Sequence, residues 1–204
     1  QTYFNPGLLA VTLSLPIHSM MDLIDYAKKN PGKLSYGSSG NGTSSHLSGE
    51  LLNLMTGTQL VHVPYKLVDQ GVADTIGGRL PLMFNNMGPM LPQVRAGRVR
   101  GLAVTTLKRS SAIPELPTLD ESGLPGFELT GWSGIAVPAG VPRDIVLRLN
   151  AEINKALLSP TVTKGMAIRG GTVVGGTPEE FAEHVRKETE RLDKLIKAVG
   201  IKPQ

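Results

Sequence analysis

The sequence predicts an α/β fold, and three observations carry that prediction. Strand-like apolar runs alternate with amphipathic helical stretches along almost the whole chain. Twenty-four glycines and fifteen prolines exceed the usual share and punctuate short elements, which argues against a long helical bundle. The chain has 204 residues, 40% hydrophobic and 19% charged. That is enough to bury the core of one medium domain or two small lobes, and it excludes intrinsic disorder.

The elements follow in order. Leu8 to Leu15 is an apolar run that reads as a strand, closed by Pro16. Ser19-Met-Met-Asp22 is a capping box, after which Met20, Leu23, Ile24 and Ala27 share one helical face, and Asn30-Pro31-Gly32 stops the helix. Leu34 to Gly37 is a short strand. A helix from about Thr43 to Thr56 follows, with Leu47, Leu51, Leu54 and Met55 as its expected buried stripe and Gly57 as its C-terminal cap. Leu60 to Tyr65 reads as a strand and Val68 to Ile76 as a helix ended by Gly77-Gly78. Leu80 to Phe84, Pro89 to Ala96 and Val99 to Thr105 continue as strand, helix and strand.

After the prolines at 114 and 117, Phe127 to Val137 is extended, and Thr172 to Val174 is a short strand. Helices run near Pro142 to Leu158 and Pro178 to Val199. The last has a clear start: Thr177 as N-cap, Pro178 at the first position, Glu180 completing the box. This rhythm implies a parallel or mostly parallel sheet covered by helices.

Composition also bounds function. There is no cysteine, so disulfides, thiolate nucleophiles and sulfur-ligated metals are excluded. The net charge of +4 is mild, and few aromatics are available for base stacking. The basic run Arg95, Arg98, Arg100, Lys108 and Arg109 reads as a solvated surface, so no nucleic-acid partner is expected. No apolar run reaches membrane-spanning length. No pair of histidines and carboxylates has metal spacing, and no cofactor is expected.

The chemistry concentrates in one loop between a strand and a helix, Gly37-Ser38-Ser39-Gly40-Asn41-Gly42-Thr43-Ser44-Ser45-His46. Ligands of open α/β sheets bind at the carboxyl ends of strands, where such loops lie. Glycines let the backbone approach a ligand, and the following helix offers unpaired N–H groups and the positive end of its dipole. The expectation is an anion site built without fixed cations, with several amides around Ser39 to Ser44 converging on one point. The plainer reading is a capped helix with a tight loop.

Gly40-Asn-Gly42-Thr-Ser-Ser45 departs from the dinucleotide fingerprint at its third glycine. Leu60 to Lys66 also lacks the acid that would hold a ribose, so a carboxylate suits the loop better than a nucleotide. Asn85 and Asn86 end a strand on the same sheet edge and are placed to orient a ligand, or else to form a turn. Gly37-Ser-Ser-Gly40 lacks nucleophile-elbow spacing, and His46 reads as a packing residue, so catalysis is not expected.

Asn30-Pro-Gly-Lys-Leu-Ser-Tyr-Gly-Ser-Ser-Gly-Asn-Gly-Thr-Ser-Ser-His-Leu47 closely resembles the Bug family, the solute-binding receptors of tripartite tricarboxylate transporters. So do Val61 to Lys66, Leu82 to Asn86, Leu102 to Thr105, Pro114 to Thr118, Gly123 to Phe127 and Thr177 to Phe181. The resemblance implies a periplasmic-binding-protein-like (type II) fold with lobe two complete at residues 17–130. An incomplete lobe one would comprise residues 1–16 and 131–204.

The resemblance further implies a periplasmic receptor that captures a small carboxylate and delivers it to a membrane permease. Ser38, Ser39, Gly40, Asn41, Gly42, Thr43, Ser44 and Ser45 would hold the carboxylate, with Asn85 and Asn86 on the rim. The chain departs from the family pattern after Lys66, where Leu67-Val-Asp-Gln70 replaces a Gly-Ser-x-Pro loop, and at Asn85, where many relatives carry Asp. It also lacks the front third expected of the family. The Phe181, Val185, Leu192, Leu195, Ile196 and Val199 stripe would therefore pack on a second copy or a separately retained N-terminal fragment. A serine-loop hydrolase and a truncated protein acting only through protein contacts are the competing readings.

Overall fold

Four strands joined through helices run parallel in the sheet, and a fifth, with no helix before it in the chain, runs against them. A computed structural model describes residues 1–201. These form two compact units, Pro6–Gly131 and Gln1–Asn5 with Trp132 onward.

In the larger unit the elements are β1 (Tyr3–Val11), α1 (Met20–Lys29), β2 (Ser35–Ser38), α2 (Ser44–Thr56) and β3 (Val61–Pro64). They continue with α3 (Val68–Ile76), β4 (Leu82–Asn86), α4 (Met87–Arg95) and β5 (Arg100–Val104). The strand order is β3-β2-β4-β1-β5. β2 pairs in parallel with β3 and with β4, whereas β1 is antiparallel to both β4 and β5. The sheet is thus mixed rather than mostly parallel. Helical crossovers keep β2 to β5 in one direction, and only β1 escapes that constraint.

β1 lies inside the sheet between β4 and β5: Leu8, Leu9, Ala10 and Val11 are all 0% exposed, as a strand covered on both faces requires. Against it pack Met83, Met87, Met90, Leu91 and Val104, where each buried side chain contributes about 1.5–3 kcal/mol. The strand starts five residues earlier than the apolar run and ends at Val11. Thr12 onward turns, with Leu15 N–H donating to Thr12 O, and Leu13 lies 48% exposed.

α1 behaves as its sequence requires. Ser19 caps it by accepting from Asp22 N–H, and Met20, Leu23, Ile24 and Ala27 are its buried residues. α2 does not. Its buried residues are Ser45, His46, Leu47, Ser48, Gly49 and Leu52, while Leu54 and Met55 face solvent. The helix lies against the sheet with its polar first turns because those turns close over the end of β2.

In the smaller unit, Tyr3 and Phe4 pair antiparallel with β7 (Thr172–Val173), and Thr2 N–H donates to Ser133 O of β6 (Thr130–Ser133). Three helices complete it: α5 (Arg143–Leu157), α6 (Pro160–Ile168) and α7 (Pro178–Val199). Helix α6 was not anticipated. Ser159 accepts from Val162 N–H and Pro160 takes the first turn, a start signal that opens a new helix directly after α5. Thr177 and Glu180 form the expected capping box of α7. None of these three helices has a buried residue, the α7 stripe included.

Candidate functional site

The serine- and glycine-rich loop connects Ser38 at the end of β2 to Ser44 at the start of α2. Gly40 (φ +116°) and Gly42 (φ +71°) take up left-handed backbone, which the side-chain-bearing residues between them avoid. Thr43 is the N-cap: its hydroxyl donates to Gly40 O at 2.7 Å, and its oxygen accepts from His46 N–H. Three loop amides expected to face a ligand instead turn inward. Ser39 N–H donates to Ser45 Oγ, Gly40 N–H to Ser38 Oγ and Gly42 N–H to His46 Nδ1. A loop this short satisfies its own donors first.

The amides of Ser44 and Ser45 open helix α2 and have no acceptor among the described residues. Ser44 and Ser45 line a small cavity of about 10 Å³, the room of roughly one water, together with Gly7, Ser48, Phe84, Asn85, Asn86 and Leu129. Asn85 is 2% exposed, its Oδ1 accepts from Asn86 N–H at 2.7 Å, and its Nδ2 has no partner among the described residues. The antiparallel register that sets Gly7 opposite Asn86 and Leu8 opposite Asn85 aligns this corner. An orphaned buried donor costs about 1–3 kcal/mol. Asn85 thus places a buried donor at the cavity that the first residues of α2 also line.

Of the expected site residues, Ser44, Ser45, Asn85 and Asn86 meet at this cavity. Ser38 is 0% exposed behind the loop, Ser39, Gly40 and Thr43 are half-buried within it, and Asn41 and Gly42 are exposed at its tip. The Lys66–Gln70 segment lines none of it. Ser48 escaped the sequence reading, although one helical turn places it on the face of Ser44.

Behind the loop lies a polar cluster that spacing did not reveal. Tyr36 of β2 stands opposite His62 of β3, and His62 stacks on His46 of α2 with ring centroids 3.8 Å apart. Ser38 Oγ is 2.6 Å from His62 Nε2. The Tyr36 hydroxyl donates to Glu50 Oε1 at 2.6 Å and to His46 O at 3.1 Å. Burial and that carboxylate hold the Tyr36 phenol far above its ordinary range. Burial, reinforced by the neighbouring imidazole, lowers His62 to about 4. Burial also lowers His46, against the pull of Glu50. Both rings are neutral at pH 7. Ser38 and His62 have the spacing of a nucleophile and base, but the hydroxyl is sealed from solvent and packed on Gly40, so it meets no substrate.

The basic run offers no phosphate strip. Arg95 donates to Ala112 O, Arg100 to Leu15 O and Ile17 O, Arg98 to Gln93 and Arg109 to Glu121, so these side chains tie the fold together.

The smaller unit carries a groove of about 470 Å³ walled by apolar groups including Ile135, Val137, Leu149, Ile153, Phe181 and Val185. Asn150 and Asn154 at its edge donate to Gly176 O, leaving no converging polar set. No helix among the described residues is long and apolar enough to cross a membrane.

A mixed α/β scaffold that sets a helix N-terminus over a strand end is shared with solved solute-binding proteins. Residues 3–201 match the tripartite tricarboxylate transporter family receptor, and the chain belongs to that family. A protein from a Pseudomonas species, encoded between tcbD and tcbE, is 42% identical over 192 residues, covering 94% of this chain and 57% of its own length. The chain thus spans little more than half of that relative. An R. palustris protein solved with adipate superposes with a TM-score of 0.93 at 39% identity, covering all of this chain and 68% of that one. MatC from Rhodopseudomonas palustris, solved with bound malate, gives 0.84 at 26% identity, over 95% and 67%. The family is one of transporter receptors, and a further similar structure, the periplasmic binding protein BugD, superposes with a TM-score of 0.90 at 31% identity, over all of this chain and 69% of that one.

Proposed function

We propose that this chain is the ligand-capturing part of a periplasmic receptor that takes a small carboxylate and presents it to a membrane permease. The observation that carries this reading is the unpartnered, buried Nδ2 of Asn85 beside the free Ser44 and Ser45 amides at one cavity. Three donors and a helix dipole with no cation select an anion that accepts hydrogen bonds from several directions, as a carboxylate does. Adipate and malate, carried by two neighbours of the same fold, are both dicarboxylates. Residues 17–130 correspond in this reading to lobe two, with the β1 residues 6–11 packed into it, and 131–204 to part of lobe one. Ser38 to Thr43 shape the loop, while Ser44, Ser45, Asn85 and Asn86 meet the ligand.

The C-terminal apolar face fits a receptor whose first lobe includes further polypeptide, supplied by a longer chain or by a second copy. Calorimetric titration of the 204-residue chain with adipate, malate and the neutral diamide of adipic acid tests the ligand class. Saturable binding of either dicarboxylate and none of the diamide is expected. Equal binding of the diamide, or no binding of any carboxylate, overturns it.

A further inference from the structure

Beneath the loop, the two imidazoles make contacts of different kinds. Gly42 N–H donates to His46 Nδ1 at 3.0 Å, so the proton of this neutral ring resides on Nε2, which faces Glu50 Oε1 at 3.9 Å. Ser38 Oγ accepts from Gly40 N–H and shares a hydrogen bond with His62 Nε2 at 2.6 Å, in which either atom can donate because Gly40 O is a second acceptor for the hydroxyl. The other titratable groups against the pair are Tyr36, whose ring is 5.1 Å from His62, and Glu50, which accepts from Tyr36.

We propose that His46 is a positioning residue for the ligand loop: its neutral Nδ1 anchors the Gly42 amide, and a proton on that nitrogen releases the loop. Gly42 sits at φ +71° with no side chain of its own, so this contact holds its amide, while Thr43 and Ser38 hold the neighbouring Gly40. Protonated His46 carries donors on both nitrogens. The Gly42 N–H then meets another N–H and must leave.

The His62 contact is different in kind. Protonated Nε2 would simply donate to Ser38 Oγ, whose hydrogen turns to Gly40 O at 3.2 Å. Glu50 draws the first proton to His46, and the 3.8 Å stack opposes a second charge on His62. The exchange therefore falls on the Gly42 contact. Its consequence for binding rests on the carboxylate reading above; the anchor itself does not.

The test is nuclear magnetic resonance of the full ¹⁵N-labelled chain between about pH 7.5 and 5, with adipate affinity measured in parallel. At the upper pH the His46 ring nitrogens should show the Nε2–H form. The Gly42 amide shift should then move with the same midpoint as His46. His46→Asn, which keeps an acceptor near Nδ1 but takes up no proton, should hold Gly42 in place and flatten its shift across the range. Adipate affinity of the parent chain should fall about tenfold as Gly42 is released, the equivalent of one lost hydrogen bond, and His46→Asn should remove most of that fall. An Nδ1–H form of His46 at the upper pH, or a Gly42 amide indifferent to the His46 titration, overturns the anchor. Should Gly42 follow His46 while adipate binding stays constant, the anchor stands and the assignment of the loop to the carboxylate fails.

Discussion

The ring of Tyr36 lies against the backbone of Gly49 so closely that a Cβ on Gly49 would fall 2.1 Å from its Cζ. This contact seats α2 on β2 and so places the helix start over the end of the strand. Tyr36 has no room to yield, since it is fully buried and its hydroxyl is held by Glu50 and His46 O. Gly49→Ala, a change that favours an isolated helix by about 1 kcal/mol, should therefore destabilise this protein. Overpacking of a filled core costs about 1–3 kcal/mol. Urea unfolding checks the sign: a stabilised variant would mean that α2 shifts freely on the sheet.

Asn85 is expected to separate binding from folding. Asn85→Leu removes an orphaned donor, a gain, and deprives Asn86 N–H of its acceptor, a loss of similar size, about 1 kcal/mol each way. Stability should change little while dicarboxylate affinity falls about tenfold or more. Large destabilisation with affinity retained would assign the side chain to the fold instead.

The imidazole pair should give stability a pH dependence in a definite direction. Burial and mutual repulsion favour the neutral form of His62, lowering it to about 4 from 6.5, and burial lowers His46 as well. Between these values the unfolded chain binds more protons than the folded one, so stability rises with pH. It should be complete above about pH 6.5 and decline as the pH falls towards about 4. The carboxylates of Asp74 and Glu121, lowered chiefly by hydrogen bonds from Arg79 and from Thr118 N–H, add a second loss at more acid pH. His62→Phe, which preserves an aromatic face for His46, should diminish the upper limb only. Denaturant midpoints unchanged between pH 6.5 and 4.5 in the parent chain would count against neutral, buried rings.

The ends of several elements were legible because local chemistry sets them. Val68–Ile76 and Pro178–Val199 match their expected bounds, one closed by a glycine pair and the other opened by a capping box. Where tertiary partners decide, the sequence misled. The first strand was expected at Leu8 to Leu15, yet β1 spans Tyr3–Val11 because neighbouring strands pair along that length. Of the stripe expected of α2, Leu47 is buried, but Leu54 and Met55 face solvent and the polar Ser45, His46 and Ser48 are buried in their stead. The loop was recognisable from its glycines and hydroxyls. Its histidine support was not, because His62 reaches Ser38 and His46 only through the β2–β3 register, which no spacing in the chain records.

The groove of the smaller unit supplies the last expectation. Phe181 fills the space beside Gly134, where a Cβ would lie 2.0 Å from its ring, and Trp132 meets the same ring edge-on at 5.7 Å. Val185, one turn on from Phe181, is 37% exposed on the wall, with Ile135 at 58% and Leu149 at 44%. Apolar surface of this extent favours small amphiphilic aromatics over water, at about 25 cal/mol per Å² covered. The dye anilinonaphthalene sulfonate should therefore bind the folded chain and brighten. Energy transfer should reach it from Trp132, the only tryptophan. Val185→Lys puts a charge on the wall without touching the Phe181–Gly134 contact and should reduce the transfer several-fold while leaving the helical signal intact. Transfer undiminished in that variant, or dye bound only after partial unfolding, would show that the groove is not an open apolar surface in solution.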